Sequence, residues 1–429
     1  MRGFEAVDWF TDPEVHQDPF PYYAWLRAKG PVIHVPDYNV VAVTDYDAIV
    51  KTLWDTEHYS SVIASGGPLP PLPFAPEGDD ITQQIEANRH RMPRASLLVA
   101  MDPPVHGEHR SLLMGIMTPH RFKKNEEFMQ RLIDRRLSSL LARGAFETVA
   151  DLAQPVSVLI VADLMGVPES EHARLLTMLP AQSGQLGKPL TMHDPHAELA
   201  AAFRQYVVDR RDTPRSDALS KLANAKFGDG ATPSVDDVVY LASVMFSAGQ
   251  DGSVRLISTA LRILGDDPNL QRQMRAAPEQ LPAFIEEVLR IDPPSKVGFR
   301  LAKVPTEICG EKIAPGTIVM AMTAAASRDP AVFERPDEFI LDRPNINQHL
   351  AFGRGVHACI GASLARAEGR ILLRRMLEST SEIRISPTHH GHSGERRYSY
   401  VPRYTTRGLQ ELHLEVEAQN ASTSGDQAS

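Results

Sequence analysis

The stretch Phe352–Gly361, FGRGVHACIG, constrains this chain more than any other part of it. It holds Cys359, one of only two cysteines, on a glycine-rich loop that runs straight into helix-forming sequence, ASLARAEGRILLRRML. A cysteine in that place sits near the positive end of the helix dipole, which favours thiolate over thiol. Gly353 and Gly355 permit a tight turn and a close approach of backbone to a flat ligand. His357 is placed to donate a hydrogen bond to an anionic group. A lone thiolate in a closed loop beside aromatic Phe352 suits a metal that takes a single protein ligand, and haem iron is that case.

The stretch resembles the haem-binding loop of the cytochrome P450 family, Phe-Gly-x-Gly-x-His-x-Cys-x-Gly, at every fixed position. A second region supports the likeness. A long helix is expected over Val235–Leu264, apolar on nearly all sides and suited to the middle of a large protein. It carries SAGQDGS, Ser247–Ser253. Gly249 and Gly252 each cost about 1 kcal/mol against alanine inside a helix. Asp251 is an acid in an apolar run, and burying it unpaired is costly. Costs concentrated in one turn point to a groove where a small molecule meets an acid. In the family this turn is the oxygen-activation motif, Ala/Gly-Gly-x-Asp/Glu-Thr-Thr/Ser, which Ala248, Gly249, Asp251 and Ser253 match. Gly252 stands where the family usually has threonine, whose hydroxyl helps to order a proton-delivering water. Four routes are open. Ser253 substitutes, although the next position on a helix points about 100° away; water fills the space; a substrate hydroxyl completes the relay; or the reaction is not ordinary hydroxylation.

The remaining likeness lies in scattered charges. Glu287 and Arg290 in FIEEVLR share a helix face. With Phe333, Pro336 and Phe339 at family spacing, Arg343 takes the third place in the family's buried Glu-Arg-Arg network, which is structural. A haem brings two propionates that need cationic or hydrogen-bonding partners. By resemblance these are His106 and Arg110 in DPPVHGEHR, Arg300 in KVGFRLA, and His357, with Phe352, Gly353 and Ala248 also against the haem. His389, His390 and His392 read as a solvated turn rather than a metal cluster.

Periodicity and turn residues give a mostly helical chain with small β pieces. PYYAWLRAKG reads as a helix closed by Gly30. VIHV and VVAV, joined by PDYN, read as a hairpin, and Asp45 caps a helix through Trp54. Ser61–Ala100, with GGPLPPLPFAP, reads as a long irregular loop. Helices are expected over Pro104–Gly115, Pro119–Ala142, Val156–Met165, Glu169–Pro180 and Ala197–Arg211, with GQLGKPLTMHD as a flexible connection.

At 429 residues and 42% hydrophobic, the chain can bury a large core. No Gly/Ser-rich linker divides it, so residues 1–416 are expected to form one domain followed by a polar tail, 417–429. A net charge of −9 gives no reason to expect nucleic acid as a partner. Two cysteines make no disulfide framework, and the N-terminus has no apolar run of secretory or membrane-spanning length, so a cytoplasmic protein without membrane contact is expected.

The resemblance runs from PYYAWLR to RGLQEL and implies the cytochrome P450 fold, mainly α with a small β lobe. It implies a haem b whose iron is axially ligated by Cys359, and a monooxygenase using O2 and electrons from NAD(P)H through a ferredoxin reductase and a ferredoxin. Arg121, Lys123, Lys124 and Arg354 are candidates for the basic docking face. Family position puts Val244, Ser247, Ala248, Ser295, Lys296 and Val297 at the substrate, with parts of the 61–100 loop and the Tyr400–Val401 turn. The expected substrate is medium-sized and apolar with oxygen functions, such as a terpenoid, polyketide or aromatic natural product. Lys296 is expected to be exposed. Asp251, Gly252 and Ser253 are the catalytic candidates. The rival readings are a haem-thiolate oxidase or peroxide user, and a non-catalytic haem sensor.

Overall fold

The computed structural model describes residues 3–35, 37–92, 95, 97–178 and 195–419. Its axis is the helix Val235–Asp266. At its start the Ser234 side chain accepts from the Asp237 N–H while the Asp237 carboxylate accepts from the Ser234 N–H. Two otherwise orphaned donors are thereby satisfied together. Nearly every later turn is buried, against the helices Gln154–Met165, Pro195–Asp212 and Ala362–Ser379. The helix after the cysteine loop, Ala362–Ser379, also packs on Pro119–Leu141 and on Leu281–Ile291. A large helical core results, in which Phe203, Phe246 and Phe284 are fully buried.

The β lobe hangs on the N-terminal side. The hairpin pairs Val32–Val35 with Val40–Val43, in register Val32↔Val43. Asp37 (φ 70°) and Asn39 (φ 49°) take its left-handed positions, where short polar side chains are tolerated best. Val40–Val43 continues in parallel with Ile318–Ala321, then antiparallel with Gly298–Ala302 and Tyr59–Ser60. A second core of Trp9, Tyr22, Tyr23 and Phe299 lies against this sheet. A smaller sheet joins Ala145–Glu147, His413–Ala418 and Thr380–Ile385.

The expected helices are present with shifted ends. Gly30 closes Phe20–Lys29, its N–H donating to Leu26 O. The central helix runs to Asp266, past the expected Leu264. The 61–100 segment contains a helix, Thr82–Asn88, and two short 3-10 turns, so it is less irregular than its prolines suggest. Strand His413–Ala418 extends into the region expected to be tail. GQLGKPLTMHD and residues 420–429 lie outside the described residues. Among the described residues no helix is long and apolar enough to cross a membrane.

Candidate active site

The cysteine loop is closed by its own backbone: the Cys359 N–H donates to Phe352 O at 2.9 Å. Gly353 (φ 66°) and Gly355 (φ 77°) both need the left-handed region. A Cβ on Gly355 would also stand 2.2 Å from Leu53 O, so the loop presses directly on the helix Tyr46–Trp54. The N–H groups of Gly361 and Ala362, where the next helix begins, hydrogen-bond to the Cys359 sulfur. Arg110 and Arg366 add positive charge near it. Burial nevertheless dominates, and the free thiol is pushed up rather than down. The helix start alone does not make the thiolate, contrary to the simplest reading of the sequence. Cys359 also keeps accessible surface although burial governs it.

Four basic side chains gather beside the loop. The His106 and His357 rings lie 3.9 Å apart. Arg110 Nη2 donates to Ala358 O at 2.6 Å. Arg300, buried in the sheet strand, donates only to Phe299 O among the described residues, at 2.8 Å. Burial drives its guanidinium down to about 10. His357 falls to about 3, from burial first and then from Arg300, His106 and Arg110. His106 Nε2 is buried and has no hydrogen-bond partner among the described residues. The one nearby carboxylate, Asp102, is occupied by Arg89 at 3.1 Å and by the Ser61 N–H at 2.7 Å. Ser61 Oγ lies 3.0 Å from His357 Nε2. Burial keeps the two histidines neutral, but a buried guanidinium without a hydrogen-bonded counter-ion is costly. The cluster fits a ligand that brings carboxylates, and the two propionates of a haem lying against Cys359 meet that requirement.

The central helix carries the second group of candidates. Ala248 is exposed and Val244 partly so, in the middle of a helix whose other faces are packed. A Cβ on Gly249 would stand 2.8 Å from Val161 Cγ2, so that glycine lets two helices touch. A Cβ on Gly252 would meet nothing within 4 Å. The residue lacking the family's hydroxyl therefore borders open space. Asp251 is clamped by Arg255 one turn on, with Nε and Nη2 donating at 2.9 and 2.8 Å. Arg255 is buried beneath Gly408, whose Cβ would stand 2.5 Å from Arg255 Cγ. Ser253 turns away from the open space toward Glu368. Glu368 is fully buried among three helices and accepts from Ser157 Oγ. Burial raises its carboxyl to about 7, against the pull of Ser157 and Ser253.

The substrate candidates separate. Ser247 Oγ is buried without a partner among the described residues, so it does not line open space. Val297 packs into the β-lobe core. Ser295 bridges Thr406, and its hydroxyl leans to Val297 O at 3.4 Å. Lys296 is a correction: it is fully buried, not exposed. Its Nζ donates to Arg403 O at 2.7 Å and His16 O at 3.4 Å, above the Trp9 ring. Burial brings it down to about 7. In the histidine turn His389 and His392 are exposed as expected, and only His390 departs. His390 is buried, bonded to Arg397 O and the His413 N–H.

Glu287 and Arg290 are wholly buried. Arg290 grips Glu287 with Nε at 2.7 Å and Nη2 at 2.8 Å, and Arg343 joins at 3.3 Å over the Phe333 ring. Sequence reasoning missed Arg255, Glu368, Glu286, His349 and Arg366. Only Arg255 was within local reach, by its i,i+4 spacing from Asp251.

A cysteine loop, a basic cluster beside it and a glycine-containing central helix suit a haem-thiolate oxidoreductase. The cytochrome P450 family profile matches residues 170–381. Cytochrome P450 144 of Mycobacterium tuberculosis is 30% identical over 415 residues, covering 95% of this chain and 91% of that protein. The substrate-free structure of Mycobacterium marinum CYP150A6 is 45% identical with a TM-score of 0.92, covering 97% and 100% of the two chains. Bacillus megaterium CYP109E1 in complex with corticosterone is 26% identical with a TM-score of 0.79, covering 94% and 99%. The chain belongs to the cytochrome P450 family, whose members are haem monooxygenases.

Proposed function

We propose that this enzyme inserts one oxygen atom from O2 into a medium-sized, mostly apolar substrate, with electrons from NAD(P)H through a ferredoxin reductase and a ferredoxin. The single observation that carries the reading is Cys359 beside two arginines and two histidines, of which Arg300 and His106 are buried, with no carboxylate hydrogen-bonded to them among the described residues. Cys359 ligates the iron, while Arg110, Arg300, His106 and His357 hold the propionates. Phe352 and Gly353 shape the loop beneath the haem. When bound, the haem supplies oxygen binding and cleavage of the O–O bond, which a thiolate ligand favours.

This chain's residues do the rest. Val244 and Ala248 present a small apolar face to the substrate. Gly252 leaves room for a water or a substrate hydroxyl in place of the family's threonine. Asp251, clamped by Arg255, delivers protons when that clamp opens. Ser253 has a different task, holding Glu368. Lys123 and Lys124 are exposed and suit an acidic ferredoxin, whereas Arg121 is partly engaged with Asp217 O and Arg354 with Asn347 O. The likeness to a corticosterone-bound relative supports a terpenoid-sized substrate. A second reading, oxidation without oxygen insertion, is favoured only by the missing hydroxyl at Gly252.

The test is the reduced, carbon-monoxide-bound spectrum. It should show the red-shifted band of thiolate-ligated haem, and Cys359→Ala should abolish it. A band that survives that change sinks the reading.

A further inference from the structure

We propose that Glu286, His349 and Arg366 form a charge-tuning device for the Cys359 thiolate, setting how readily the haem held there accepts an electron. The proposal rests on the haem-thiolate reading above. Arg366 lies on the helix that follows the cysteine. Its guanidinium stands 4.5 Å from the Phe352 ring centroid. It is close enough to Cys359 for each to favour the other's charged form. Phe352 in turn takes the Cys359 N–H on its carbonyl. Arg366 therefore touches both the aromatic floor of the loop and the field at its sulfur.

The far side of Arg366 is gripped by Glu286, from Nε at 2.6 Å and from Nη2 at 2.8 Å. Such a two-pronged pair fixes geometry as well as charge. Glu286 also faces His349 Nε2 at 2.9 Å. The Ala351 N–H donates to His349 Nδ1 at 3.2 Å, which leaves the ring proton on Nε2, aimed at Glu286. Burial alone would raise the Glu286 carboxyl, but Arg366 and His349 outweigh it and hold the group near 2. Glu286 belongs to the same helix as Glu287, yet the adjacent acids serve different arginines. Glu287 binds Arg290 and Arg343 inside the scaffold, while Glu286 alone reaches the loop.

A cation near the sulfur stabilises negative charge on the thiolate–haem unit, and reduction adds one negative charge to it. Arg366 thus favours reduction, and Glu286 opposes it by neutralising Arg366. The electron comes from the carrier; no bond forms or breaks and no proton is required. The two charges act on one equilibrium with opposite sign.

The test is the reduction potential of the haem-loaded protein, measured spectroscopically alongside the carbon-monoxide band. Glu286→Gln should raise the potential and Arg366→Met should lower it. Each change should be about tenfold in the reduction equilibrium, from one unit charge in a medium of effective dielectric about 20, which is about 59 mV. The double variant should return toward the wild-type value. Arg366→Lys, which keeps the charge, should shift the potential less than Arg366→Met. A clamp with only a structural role would move Glu286→Gln and Arg366→Met in the same direction, or move neither, and either result overturns the proposal. Should Arg366→Met lose its haem, Glu286→Gln and Arg366→Lys still decide: the first must rise clearly above the second. A wild-type protein without the red-shifted band would sink the haem-thiolate reading itself, whereas unmoved potentials under an intact band sink this proposal alone.

Discussion

The arginine clusters around Glu287 and around His357 differ in their counter-ions. Around Glu287 every group is partnered: one carboxylate is shared by two arginines, and backbone carbonyls accept their spare N–H groups. Around His357 this is not so. Arg300, Arg110 and two histidines meet one carboxylate that already serves Arg89. The first cluster is complete as folded. The second is complete only with an anionic ligand. Burial and positive charge are common to both, so neither property marks a binding site; the missing anion does.

The comparison is broken most sharply by removing one arginine from each cluster. Arg290→Ala should leave Glu287 buried and underpaired and cost about 3–5 kcal/mol. The protein should be recovered largely insoluble or without haem, and thermal unfolding of any soluble fraction measures the loss. Arg300→Ala removes a cation that has no carboxylate, so it should leave the haem-free protein as stable as before or more so while speeding haem loss. Equal destabilisation of the haem-free protein by both changes would erase the distinction.

Acid sharpens it next. His357 in the folded, haem-free chain titrates at about 3 against an ordinary value of 6.5. Between those values the unfolded imidazole binds a proton that the folded one refuses. Stability from this group is therefore complete above pH 6.5 and is lost as pH falls toward 3, by at most about 1.4 kcal/mol per pH unit. Denaturant unfolding of haem-free protein across that window should show the slope. Haem-loaded protein should show a shallower one, because propionates stabilise the protonated ring.

A third ion pair, Asp251–Arg255, lies between the two cases, paired yet bordering open space. Asp251→Asn should slow turnover roughly 100-fold, the scale of a lost proton-transfer group, with little change in substrate affinity measured by spectral shift. The smallest effect is expected at Gly252→Thr. The site has room for the side chain, and product formed per NAD(P)H consumed should stay near wild type, since another hydroxyl already serves the relay.

Elements built from neighbours in sequence were legible. The cysteine loop, the central helix and the Glu287–Arg290 pair each depend on residues within a turn or two. The partners of buried charges were not. Glu286 meets Arg366 across 80 positions, and nothing local in FIEEVLR says which of the two acids faces the scaffold and which the loop. Ser295–Val297 reads as a pocket wall by family position, but the chain ends fold over it. Lys296 was misread for that reason: its two carbonyl partners stand 280 and 107 positions away. Gly252 was read from its absent hydroxyl, but only the surroundings reveal space there rather than a neighbour filling it.

That lysine has a consequence for how the molecule is made. One ammonium group joins a carbonyl at residue 16 to a carbonyl at residue 403, with the Trp9 indole beneath it. Residue 16 leaves the ribosome long before residue 403, and domains generally fold as units during synthesis. The joint at Lys296 therefore closes only after residue 403 has emerged.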